Sequence, residues 1–111
     1  EFLMFALPAN ARIFLCKEST NMGKSFEGLC TLVEMYFSEP PTSGGYFVFI
    51  NRRRYSMKVL YWDSDGFSIW YKRLEKGTFL VKNSKATLSR RDFLMLLEGV
   101  EPKHLQRRYK R

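Results

Sequence analysis

Residues 57–72, Met57-Lys58-Val59-Leu60-Tyr61-Trp62-Asp63-Ser64-Asp65-Gly66-Phe67-Ser68-Ile69-Trp70-Tyr71-Lys72, read as two β-strands folded back on each other. Both arms are rich in β-branched and aromatic residues. Asp63-Ser64-Asp65-Gly66 between them is turn chemistry, with Gly66 expected to take a positive φ. Closing the hairpin there sets its register. Trp62 then faces Phe67, Leu60 faces Ile69 and Lys58 faces Tyr71 on one side. On the other, Tyr61 faces Ser68, Val59 faces Trp70 and Met57 faces Lys72. The first side is expected to be core. The second mixes aromatic, hydroxyl and cationic groups, as single-strand stacking platforms do, with Tyr61 and Trp70 as candidate stacking rings. Its plainer reading is a face covered by a helix or by the second subunit of a homo-oligomer.

An isolated hairpin is marginal in water, so more strands must flank it. Tyr46–Ile50, apolar on both faces, is the expected central strand, joined to the hairpin by a turn at Arg52-Arg53-Arg54. Pro40-Pro41-Thr42-Ser43-Gly44-Gly45 marks a loop before it. Further upstream, Phe26, Leu29, Leu32, Val33 and Tyr36 recur at helical spacing and predict a helix over 24–37, and 12–16 reads as a first strand. Downstream, Glu75-Lys76-Gly77 makes a turn and 78–82 a strand. Ser89-Arg90-Arg91-Asp92 then resembles a capping box ahead of the stripe Phe93, Leu96, Leu97 and Val100, with Gly99 and Pro102 ending the helix. Met95, opposite that stripe, hints at a partner surface. The expected fold is α+β: a mostly antiparallel sheet of 4–5 strands, two helices and a basic C-terminal arm. Residues 1–100 form the single domain, 101–111 the arm, and Glu1-Phe2-Leu3 looks like a cloning scar.

At 111 residues and 45% hydrophobic, the chain can bury one core. No run of about 18 apolar residues suits a membrane span and no basic n-region suits a signal peptide, so a soluble, cytoplasmic protein without membrane contact is expected. Cys16 and Cys30, far apart and outside any C-x-x-C pair, suit reduced structural thiols. The charge is lopsided. Residues 1–50 carry three Lys and Arg against five Asp and Glu, whereas 51–111 carry 16 against six. Such a field attracts polyanions, chiefly nucleic acid.

Three groups of cations are candidate phosphate contacts. Arg52, Arg53 and Arg54 concentrate guanidinium forks at one turn, which otherwise is a solvated loop. Arg90 and Arg91 stand early in a helix, where exposed backbone N–H groups favour an anion between them. Lys103, Arg107, Arg108, Lys110 and Arg111 make the arm, which could equally dock an acidic protein. Lys58, Lys72 and Arg73 of the hairpin add to this set.

Catalysis has little to stand on. Asp63 and Asp65, with Glu75 or Asp92, could hold a divalent ion for a nuclease, but Asp beside a turn Gly is ordinary turn chemistry. His104 is the single histidine, so a zinc site lacks donors, and no Gly-rich phosphate loop occurs. The expectation is no enzyme, no metal and no cofactor.

Several blocks come in an order that resembles a known family. They are Arg12-Ile13-Phe14-Leu15, Asn21-Met22-Gly23-Lys24-Ser25-Phe26-Glu27-Gly28-Leu29, Phe47-Val48-Phe49, the W-D-x-D-G run at Trp62, Tyr71-Lys72-Arg73-Leu74-Glu75-Lys76-Gly77 and Leu94-Met95-Leu96-Leu97-Glu98-Gly99. Together they look like the TnpB-type accessory protein, encoded by the second reading frame, of the bacterial insertion-sequence group sixty-six. The likeness spans about residues 4–111. It departs at Asn21 and Gly23, where the family usually carries Asp and Arg, so the charges of that loop do not carry over. The resemblance implies a protein working beside a separate, larger transposase in DNA recombination, and it supplies no catalytic mechanism. The expected function is a non-catalytic accessory factor that binds DNA backbone at element ends and assists the transposase. The alternatives are a protein–protein adaptor for the transposase without DNA contact, and a metal-dependent nuclease.

Overall fold

The structure, a computed structural model, describes residues 7–81 and 86–100. Five strands, β1 (Ile13–Leu15), β2 (Tyr46–Ile50), β3 (Ser56–Asp63), β4 (Gly66–Arg73) and β5 (Thr87–Leu88), form one sheet in the order β4-β3-β2-β1-β5. Helix α1 (Phe26–Tyr36) and a 3-10 turn at Pro41–Ser43 carry the chain from β1 across to β2, which lies parallel to it. The other pairings are antiparallel, and α2 (Arg90–Glu98) follows β5. The fold is therefore α+β with a mostly antiparallel sheet and two helices, as the sequence led us to expect.

The β3–β4 register matches the sequence reading at every pair from Met57↔Lys72 to Trp62↔Phe67. The turn differs in one respect. Gly66 opens β4 opposite Asp63, and the positive φ (60°) falls on Ser64, the first residue of a two-residue loop. Hairpin loops of that length need a left-handed residue to match strand twist, and the register puts it at Ser64.

Both faces of the sheet are buried, which is why β2 is apolar on both sides. On one face α1 sets Leu29 and Val33 against Phe47, Phe49 and Leu60, with Phe14, Phe37 and Phe67 packed around them. On the other, Phe93, Leu96 and Leu97 of α2 and the ring of Phe79 meet Ile13, Val48, Met57 and Val59. Full burial of each such side chain contributes about 1.5–3 kcal/mol. Tyr61 and Trp70 belong to this second face. They are half-buried against its core, Tyr61 stacks on Tyr46 at 5.1 Å, and helix α2 covers the face they share with Val59. Of the two readings of that face, the covered one describes it.

The expected strand over 78–82 does not form. Thr78 makes a single bridge to Val100, and the N–H of fully buried Phe79 donates to the Arg54 carbonyl at 2.7 Å. Phe79 plugs the core from the end of the sheet, so its backbone leaves the ladder. The place beside β1 goes instead to β5, which the sequence did not reveal. Lys82 lies outside the described residues, as do Pro102 and the arm. Helix α2 has the expected cap: the Ser89 hydroxyl accepts from Asp92 N–H at 3.0 Å. Gly99 ends it at φ 72°, where an added Cβ would come within 2.8 Å of Leu74.

Candidate nucleic-acid interface

The β2–β3 connection is built around Asn51. Its N–H donates to Ser56 O at 3.1 Å, and its side-chain oxygen accepts from the N–H groups of Tyr55 and Ser56 at 3.0 and 3.1 Å. Its carbonyl accepts from Arg54 N–H at 3.0 Å. One amide side chain thus ties the turn from inside and leaves Arg52, Arg53 and Arg54 exposed on its rim. Arg54 adopts φ 64°, a left-handed backbone that costs a residue with a Cβ about 1–2 kcal/mol.

Arg73 joins this group from β4. It pairs in register with Ser56 at the turn, and its guanidinium lies over the Tyr55 ring at 5.3 Å. Facing it is the segment after β1. Thr20 N–H donates to Ile50 O at 3.0 Å, and the Asn21 side chain accepts from Gly23 N–H at 2.6 Å. Between these walls runs an open groove of about 570 Å³, lined by Arg52, Arg53 and Arg73 together with Asn21, Tyr55 and Tyr71. Its lining contains no Asp or Glu. Among the described residues none of its three arginines has an ion-pair partner. A neighbouring hollow of about 280 Å³ takes in Arg54 and Lys17, but also Glu18.

Other expected contacts sit elsewhere. The Lys58 ammonium donates to the carbonyls of Met22 and Lys24, both at 2.8 Å, and so pins the groove wall instead of lining the groove. Lys72 donates to Leu97 O at 3.0 Å, satisfying a carbonyl of the last turn of α2. Both lysines, expected as phosphate contacts, thus have carbonyl partners within the fold. Arg90 and Arg91 are exposed at the start of α2, and the strand register puts them at the opposite end of the sheet. Leu88 pairs with Ile13, which pairs with Tyr46, four residues before Ile50. That is about 13 Å along the strands from the arginine turn. Of the two described groups, Arg52–Arg54 with Arg73 thus stand at one end of the sheet and Arg90 with Arg91 at the other. Lys103, Arg107, Arg108, Lys110 and Arg111 lie outside the described residues.

Nothing gathers for catalysis among the described residues. Asp63 and Asp65 are exposed turn residues joined by a backbone bond, and no cluster of three His, Cys, Asp or Glu could hold a metal. Burial pushes the Cys16 thiol up, outweighing an opposing hydrogen bond from the Glu18 backbone, and burial does the same at Cys30. Neither thiol is activated. No helix among these residues is long and apolar enough to cross a membrane. Sequence reasoning missed the 19–22 wall and the two tyrosines. The i, i+2 spacing of Tyr71 and Arg73 was the one signal for them.

The family described as IS66 Orf2 like protein matches residues 11–107 of the chain. Two uncharacterized proteins of Sinorhizobium fredii, y4jC and y4hO, are similar as well. Each is 28% identical over 100 residues, covering 87% of this chain and 86% and 87% of their own lengths. No solved structure matches the chain.

Proposed function

The chain belongs to the IS66 Orf2-like family, which places it in an accessory role in insertion-sequence transposition, and from that premise we propose that it is a non-catalytic factor that grips the phosphate backbone of element DNA. The observation that carries this reading is the groove in which Arg52, Arg53 and Arg73 meet without a carboxylate in the lining. Guanidinium forks match phosphate oxygens in pairs, and Arg73 is pre-oriented by the Tyr55 ring, so little side-chain entropy is lost on contact. Phosphate contacts position a protein without reading sequence. Specificity for element ends then comes from the transposase, the partner this reading assigns. The apolar side chains left exposed on the helices, Met35 and Tyr36 on α1 over one face of the sheet and Met95 on α2 over the other, offer it points of contact.

Fluorescence anisotropy with labelled DNA at several salt concentrations tests the reading. Binding at low salt is expected, with log K falling linearly against log salt. Arg52→Ala, Arg53→Ala and Arg73→Ala should each flatten the slope by about 0.7–0.9 per lost phosphate contact. Absence of binding at low salt ends the DNA reading and leaves a protein–protein adaptor.

A further inference from the structure

On top of the backbone reading, we infer that the groove takes single-stranded DNA, with phosphates on Arg52, Arg53 and Arg73 and a base stacked on Tyr71. Tyr71 lines the groove yet is 51% exposed, an unusual state for an aromatic ring on a strand whose other apolar side chains are half-buried. Its position is fixed from below. Lys58, held by the Met22 and Lys24 carbonyls, places its ammonium 5.1 Å from the ring centroid. The neighbouring ring, Tyr55, also carries a cation, the Arg73 guanidinium, but is only part-exposed. Tyr71 is therefore the more exposed ring of the groove.

Spacing supports the same ligand. Tyr71 and Arg73 project from one side of β4, about 6.6 Å apart along the strand, so one nucleotide can set its base on the ring and its phosphate on the guanidinium. Arg52 and Arg53 on the turn continue the cationic track beyond Arg73. A duplex keeps its bases stacked on one another inside the helix and offers only phosphates, which would leave Tyr71 in water. Stacking on an aromatic ring is sequence-tolerant, because every base has a π-face. The groove lining adds the exposed Ser19 hydroxyl and Asn21 amide, which can meet sugar or base edges.

The test compares labelled oligothymidylate with a duplex of equal length by anisotropy at one salt concentration. Single-stranded DNA is expected to bind more tightly. Tyr71→Ala should weaken single-strand binding by about tenfold, the scale of one lost stack, and leave duplex binding unchanged. Ser38→Ala, at an exposed position after α1 and outside the groove lining, serves as the control without effect, and circular dichroism confirms that both variants fold. Equal affinity for the two DNA forms, or single-strand binding indifferent to Tyr71→Ala, overturns the inference and leaves the backbone reading intact. Failure of both forms to bind at low salt overturns both.

Discussion

Arg54 holds a backbone conformation that glycine would hold more easily, while its carbonyl receives the Phe79 N–H and its side chain stays exposed. Non-glycine residues kept in strained positions are a recurrent mark of functional segments. The balance can be measured. Left-handed backbone costs Arg54 about 1–2 kcal/mol, and the greater unfolded-state freedom of glycine returns about 0.5–1. Arg54→Gly should therefore stabilise the protein by about 0.5–1 kcal/mol in chemical denaturation. A destabilised variant would mean that the Arg54 side chain packs in a way that outweighs its backbone. At this scale the arginine run was plain in the sequence. The Asn51 staple was not, because an Asn before charged residues looks the same whether it binds the turn or faces water.

The β3–β4 hairpin was legible down to its register because alternating side chains and a two-residue turn fix each other locally. The capping of α2 was legible for the same reason, since Ser89 and Asp92 are three residues apart. Ser89→Ala removes the acceptor of the Asp92 N–H and should cost about 1 kcal/mol, read as a lower midpoint in urea with unchanged slope. An unchanged midpoint would show that solvent satisfies that N–H equally well. Elements that depend on distant partners were hidden. β5 is two residues long and has no pattern of its own; it exists because the β1 edge needs pairing. The run at 78–82 has strand-like composition, yet Phe79 is drawn into the core from the end of the sheet, and composition cannot distinguish these two ways of burying a ring.

The whole molecule sorts its charges by place. Chain order suggested three cationic groups acting together. The topology instead sets Arg52, Arg53, Arg54 and Arg73 around one end of the sheet and sends Arg90 and Arg91 to the other, because β5 runs antiparallel to β1. Lys58 and Lys72 hold the walls and the helix end that shape this site. A groove made by β2–β3, β4 and the segment after β1 depends on contacts spanning more than fifty residues, so no local reading of the sequence could assemble it. Titrating isotope-labelled protein with a short oligonucleotide, and following backbone amide signals by NMR, tests the assignment of DNA to this groove most directly. The account predicts shifts concentrated at residues 19–22, 51–56 and 71–73, with Arg90 and Arg91 unmoved; shifts centred on the start of α2, or none at low salt, would contradict it.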